Sequence, residues 1–230
     1  MFTDGQPDRI DAASHAIAGY MTGLIARKRQ DSGDSLLDRL IVARYGADRL
    51  TENELVSLAC LLVVAGHETI ANFIGTALLT LLQRPGHLEH LRTHPEDIPR
   101  LLDELLRYDS PVSTATFRFT TEPVCLGGTD IPAGIPVQVA IGAANRDPGR
   151  YTEPDRLDPG RDAVGHLSFG HGIHRCLGAP LAKAEAELAL RAVLTRFPHL
   201  RLAVPADQLT WRRTRLVRGL AALPVLTGSP

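Results

Sequence analysis

Phe169-Gly170-His171-Gly172-Ile173-His174-Arg175-Cys176-Leu177-Gly178 is the stretch on which the reading of this chain turns. Glycines at alternate positions let a backbone take positive φ and pass close to a large flat object. A helix begins just behind the stretch, near Ala179-Pro180. Cys176 therefore sits at a helix N-terminus, where the dipole and free N–H donors favour a thiolate. Several motifs are excluded by single positions. A dinucleotide loop, G-x-G-x-x-G, would need glycine where Arg175 stands. A nucleophile elbow around Ser168 would need glycine at His166. A zinc site built on His171, His174 and Cys176 lacks a further pair at suitable spacing. On these residues alone, a glycine-rich loop with a buried cysteine remains open as the ordinary reading.

Outward from the stretch, the first half of the chain reads as helices. Asp8 to Gln30 carries Ile10, Ile17, Met21, Leu24 and Ile25 at helical spacing, and Leu36 to Tyr45 reads as a second helix. Thr51 and Glu54 have the spacing of a capping box, and the helix they open runs to about Leu82. Pro85-Gly86 ends that run, His87 to His94 is a short helix, and Ile98 to Tyr108 is another, stopping before Pro111. Beyond Val112 the pattern changes. Phe117 to Phe119, Val124 to Leu126 and Ile135 to Ile141 read as short strands. Residues 145–172 read as a long ordered loop, Leu181 to Phe197 as helix, and Leu200–Val204 and Ala221–Leu226 as tail strands. The expected fold is mainly α with a minor β region. Residues 1–110 are mainly helical, including the long helix 51–82, and 111–230 are mixed, all within one domain.

Composition narrows the function classes. With 44% apolar and 22% charged residues among 230, the chain can bury a sizeable core. A formal net charge of −1 offers no global field for nucleic acid. Arg212, Arg213, Arg215 and Arg218 form a short basic run that reads as a solvated face. Met1 to Gly5 shows no secretory pattern, and three widely spaced cysteines, Cys60, Cys125 and Cys176, fit a reducing cytoplasm better than a disulfide framework. Leu55 to Leu82 is apolar and long enough to cross a bilayer. His67 and Glu68 near its centre make that costly, so no membrane association is expected.

Three motifs together carry a family resemblance. The stretch 169–178 resembles the cysteine-loop signature F-G-x-G-x-H-x-C-x-G of the cytochrome P450 family, with Phe169, Gly170, Gly172, His174, Cys176 and Gly178 all in place. At average residue usage such a match arises by chance on the order of 10⁻⁸ times per start position. Ala65-Gly66-His67-Glu68-Thr69, midway along the long helix, is similar to the family's A-G-x-[DE]-T, with Ile70 where a second hydroxyl is usual. Glu104-Leu105-Leu106-Arg107 resembles its E-x-x-R. Read without the family, a Glu–Arg pair at i and i+3 is most often a surface ion pair worth a few tenths of a kcal/mol. Order and separation match over residues 10–227, and the resemblance is to the soluble bacterial type.

The resemblance implies a haem-thiolate monooxygenase that inserts one atom of dioxygen into a small organic substrate. Cys176 would be the axial ligand of the iron of haem b, and helix N–H donors would tune its sulfur. Phe169, Gly170, Gly178 and Ala65 would border the cofactor, while Arg118 and His174 would partner its propionates. Glu68 and Thr69 would relay protons, the acid being buried beside the hydroxyl. Glu104 and Arg107 would form a buried pair closed by Arg156 of Pro154-Asp155-Arg156. Leu61, Val64, Ala65, Val112, Leu216 and Val217 match substrate-pocket positions. Electrons would come from a ferredoxin and its reductase. Family members are much longer at the N-terminus, so the chain resembles an N-terminally truncated member, with apolar surface left exposed and association expected. The alternative reading is a catalytically inactive haem-binding protein.

Overall fold

The computed structural model describes residues 7–45, 48–212, 214 and 216–228. Met1 to Gly5, Arg213 and Arg215 lie outside them. The chain divides into two compact units, Met1–Glu68 and Thr69–Pro230, with the boundary inside one continuous helix.

The first unit holds α1 (Pro7–Gln30), α2 (Leu36–Val42), the hairpin β1 (Arg44–Tyr45) and β2 (Asp48–Arg49), and the first half of α3 (Glu52–Leu82). Met21, Ile25, Leu55 and Ala59 are its buried apolar side chains. The starts of α2 and α3 are closed by reciprocal caps. Ser35 and Asp38 form a capping box on α2, and Lys28 Nζ joins Asp38 Oδ2 at 3.0 Å. Thr51 N–H donates to Glu54 Oε2 at 2.8 Å and Glu54 N–H to Thr51 Oγ1 at 3.3 Å, the box expected from the spacing. Arg29 grips Glu52 with two hydrogen bonds, 3.1 and 2.6 Å. The sequence reading ran α2 on to Tyr45. The helix instead ends at Val42, where Ala43 is extended (φ −61°, ψ 136°) and the next residues pair with β2. The ladder satisfies backbone groups that a further helical turn would otherwise have used.

The second unit is built around α4 (Pro85–Thr93), α5 (Ile98–Tyr108) and α7 (Ala179–Arg196), with the second half of α3. Phe73, Ala77 and Leu81 of α3 pack with Leu88 and Leu91 of α4, five apolar residues of α5, and Ala186, Leu190 and Leu194 of α7. Buried leucines of this kind are worth about 1.5–3 kcal/mol each relative to exposure. A smaller cluster joins Leu79 of α3 to Leu209 and Leu220 of the tail, with Trp211 against it.

The β region consists of short antiparallel pairs. β3 (Arg118–Phe119) pairs with β6 (Pro136–Val137), β4 (Val124–Leu126) with β5 (Thr129–Ile131), and β7 (Arg201–Leu202) with β8 (Val225–Leu226). The sequence reading missed β5. Gly127 and Gly128, at φ 56° and 80°, make a two-residue hairpin turn that brings it back on β4. Of the strand expected over Ile135–Ile141, only Pro136–Val137 pairs, and Ile141–Ala144 forms the helical turn α6, anchored by the buried Ile141. The fold is thus mostly helical with small sheets, as the sequence pattern implied. By length and composition α3 is long and apolar enough to cross a membrane, and little of its most apolar window is buried among the described residues.

Candidate functional site

Helix α5 is the platform on which the loop regions of the second unit rest. Glu104 and Arg107 are fully buried, 0% and 1% exposed. Arg107 donates Nε to Glu104 Oε2 (2.7 Å) and Nη2 to Oε1 (2.8 Å). Its Nη1 donates to the carbonyls of Asn145 (2.9 Å) and Pro154 (2.8 Å), and Nη2 also to that of Arg156 (3.3 Å). All five donors of the guanidinium thus meet an acceptor, the condition under which a buried charge is tolerated. The pair is no surface contact: it pins the loop 145–158 to α5.

The arginine that closes the pair is Arg161, and the expectation for Arg156 is corrected. Arg161 Nε reaches Glu104 Oε1 at 3.2 Å, and its other nitrogens donate to the carbonyls of Thr152 and Glu153. Arg156 contributes only its backbone carbonyl, while its exposed side chain pairs with Glu153. A turn explains the difference. Gly160 N–H caps Asp158 Oδ1 (2.9 Å) and Asp158 N–H donates to Glu104 Oε1 (2.9 Å), which swings Arg161 inward.

The cysteine stretch is fastened to the same platform. His166 is buried and accepts the Ser168 N–H at Nδ1 (3.1 Å), so Nε2 carries the proton that it donates to Asp103 Oδ1 (3.2 Å). Lys183 Nζ of α7 reaches the same oxygen at 2.5 Å. Burial pushes the His166 pKa below its ordinary value, against the opposing pull of Asp103. Burial pushes the Asp103 carboxyl up, but its bonds to Lys183 and His166 outweigh that and leave it below the usual range. Ser168 Oγ donates to the Leu106 carbonyl (2.7 Å) and accepts from Asn145 Nδ2 (2.9 Å), and Asn145 Oδ1 takes the Leu167 N–H (2.7 Å).

From this anchored turn the chain runs outward. Gly170 and Gly172 take φ of 71° and 70°, a region that favours glycine. Cys176 N–H donates to the Phe169 carbonyl at 2.8 Å, folding 169–176 into a closed loop. Residues 171–178 are all exposed, Cys176 and His174 among them, with Ile173 97% and Leu177 88% exposed. The buried cysteine of the ordinary reading is therefore not what the structure has. Gly178 is the N-cap of the 18-residue α7.

The other expected residues are placed as follows. Val112 and Val217 form an antiparallel bridge, and the Leu216 carbonyl accepts the Ser113 N–H (3.1 Å), so these pocket positions adjoin. Val217 is buried, and Val112 and Leu216 are half-buried. Arg118 is exposed on β3 and its Nη1 donates to Thr116 Oγ1 at 2.7 Å. On α3, Leu61 and Ala65 are exposed, and Val64, Glu68 and Thr69 half-buried. The expectation of a buried acid at Glu68 is thus corrected to a half-buried one, on a stretch of α3 whose neighbours Gly66 and His67 are exposed. A Cβ added to Gly66 would meet no described atom within 4 Å. Asp103, Asn145, Arg161 and His166 were not singled out by the sequence. Their decisive side-chain contacts span 23 positions (Asn145–Ser168), 57 (Arg161–Glu104) and 63 (His166–Asp103), beyond any local spacing rule.

Comparison with known proteins gives this geometry its context. A profile of the family described as Cytochrome P450 matches residues 98–214, which contain α5, the buried pair and the whole cysteine stretch. Cytochrome P450 107B1 of Saccharopolyspora erythraea is 49% identical over 230 residues, covering 100% of this chain and 57% of that protein. The 6-deoxyerythronolide B hydroxylase of the same organism is 45% identical over 214 residues, 93% of this chain and 53% of its own. The structure of the tirandamycin C-bound P450 monooxygenase TamI superposes with a TM-score of 0.92 at 45% identity, covering 99% of this chain and 57% of that one. The chain spans little more than half the length of these relatives. Sequence and fold agree, and the chain belongs to the cytochrome P450 family.

Proposed function

We propose that this chain carries the thiolate side of a haem-dependent monooxygenase, with Cys176 Sγ as the residue that would hold the iron of haem b. The observation that carries the reading is an exposed thiol at the start of α7, in a loop closed on the Phe169 carbonyl. The donor set fits the cofactor. Thiolate is favoured at a helix N-terminus and is the ligand that promotes O–O cleavage. A Cβ on Gly178 would stand 3.9 Å from Cys176 Sγ, and a Cβ on Gly172 would meet no described atom within 4 Å, so space beside the thiol and along the loop is open. The apolar Ile173 and Leu177 beside the thiol, and the donors of Arg118 and His174, match a group with an apolar plane and carboxylate edges.

Bound haem would supply the activation of dioxygen, one atom going to the substrate and the other to water. The chain's own residues do the rest. Cys176 Sγ would supply the thiolate, with the α7 dipole moderating its electron density. Arg118 and His174 would hold the propionates, Phe169, Gly170 and Gly178 would border the ring, and Ala65 matches a position that borders it in the family. Glu68 and Thr69 would hold and pass protons at a carboxylate oxygen and at Oγ1 beside the haem face. Leu61, Val64 and Ala65 of α3, and Val112, Leu216 and Val217 of the second unit, match family positions that would exclude water and seat a small organic substrate. Electrons arrive from a ferredoxin and its reductase, in a soluble cytoplasmic protein. Relatives are named for vitamin D(3), 6-deoxyerythronolide B and pentalenic acid, so family membership leaves the substrate's skeleton open.

Turnover with isotope-labelled dioxygen tests the reading. The haem-loaded chain, given ferredoxin, reductase and a panel of hydrophobic substrates, should place one labelled atom in a product and the other in water. A thiolate-type spectrum with no label in any product would overturn the monooxygenase assignment and leave a haem-binding protein.

A further inference from the structure

We propose that His166, acting through its Nδ1 acceptor on the Ser168 N–H, is a positioning residue that holds the Cys176 loop in its ligating conformation. The inference rests on the reading of Cys176 as the haem ligand. His166 bonds Asp103 and Ser168 and packs on Phe169, and no motif of the family signature quoted above includes it. Its influence runs through the backbone. The ring accepts the N–H of a residue two positions on, the geometry that an Asx-turn makes with a shorter side chain. That bond closes the turn Leu167–Phe169, whose last residue supplies the carbonyl for the Cys176 N–H. The ring also packs against Phe169, centroid to centroid 5.7 Å.

Three elements fix the ring so that Nδ1 faces the loop. Asp103 Oδ1 of α5 accepts a hydrogen bond from Nε2 at 3.2 Å, and Lys183 Nζ of α7 reaches the same oxygen at 2.5 Å. Phe169 covers one face. With the proton fixed on Nε2, Nδ1 is an acceptor, and the loop's first N–H has a partner inside the protein. Residues 171–178 have no burial of their own to hold them. Exposed segments with few packed contacts open easily, so the anchored turn before them sets how often the loop is in register.

Two conservative variants separate the halves of the histidine. His166→Asn keeps an acceptor at the Nδ1 position and can form the Asx-turn, but loses the bond to Asp103. His166→Gln keeps a donor toward Asp103 at the Nε2 position and loses the acceptor. Amide hydrogen exchange on the full chain without haem reads the loop directly, with amides of α5 and α7 as the internal reference for folding. In His166→Gln the Cys176 amide should exchange faster on the order of fivefold to tenfold, the effect of one lost capping bond. In His166→Asn it should stay within about twofold of the unmodified chain. After haem loading, the fraction with a thiolate-type ferrous–carbon monoxide band should fall in the same order. His166→Asn exchanging as fast as His166→Gln, or His166→Gln as slow as the unmodified chain, would overturn the proposal. Exchange is measured without haem, so a failed ligand assignment for Cys176 would show separately, as a Cys176→Ser chain that keeps the thiolate band.

Discussion

Arg107 lies one helical turn beyond Glu104 on α5, and the two side chains meet in a double hydrogen bond of 2.7 and 2.8 Å with no access to water. The remaining Arg107 donors all go to loop carbonyls. Glu104→Gln therefore strands a buried cation and releases the turn at Asp158 together with it. Removing one partner of a buried pair costs about 3–5 kcal/mol. Urea unfolding followed by Trp211, the chain's single tryptophan, should show a loss of that size.

Arg161 and Arg156 should behave differently although they stand five positions apart. Arg161 touches Glu104 and two carbonyls, and its truncation to alanine should cost about 1.5–3 kcal/mol, the range for bonds to charged groups. Arg156 offers the fold only its carbonyl, so Arg156→Ala should fall within about 0.5 kcal/mol of the parent. The same urea titration compares them.

Gly219 has no room for a side chain. A Cβ there would overlap the side chain of the buried Asn72 of α3. Gly219→Ala should cost about 1–3 kcal/mol by overpacking, read as a lower thermal midpoint. Gly86→Ala has open space and should leave the midpoint within a degree or two, close to the effect of a neutral surface change.

The histidine anchor gives a pH signature. His166 is held below its ordinary pKa by burial, so the unfolded chain takes up its proton first as the pH falls. Its stabilising contribution is complete above about pH 6.5, the ordinary histidine value, and declines as the pH drops below it. Asp103 is held below the usual carboxylate range, so its contribution is present above about pH 3.9 and is lost at lower pH. Urea midpoints measured from pH 8 downward should fall in two stages, and His166→Asn should flatten the first and, by removing one of the two bonds that lower the Asp103 pKa, shrink the second.

Local chemistry was legible in the sequence, and assembly over distance was not. Ile98 to Tyr108 was bounded correctly because leucine spacing within it and Pro111 after it are both local signals. The Thr51–Glu54 box was readable for the same reason. Arg161 was missed because the turn that aims it depends on a carboxylate 57 positions earlier, and the nearer Arg156 matched the motif by spacing. His166 read as nothing more than a position where glycine was absent. Its role depends on Asp103 and Lys183, which α5 and α7 bring to one side of it only in the folded unit. α2 was overrun because a two-residue ladder outcompeted a helical pattern that continued in the sequence.

Haem reconstitution of the full chain, reduction and addition of carbon monoxide test the central claim most directly. A far-red-shifted Soret band, lost in Cys176→Ser and kept in Cys60→Ser, is the result the Cys176 assignment predicts. A chain that takes up haem but shows no such band, or one that keeps the band when Cys176 is serine, would contradict it.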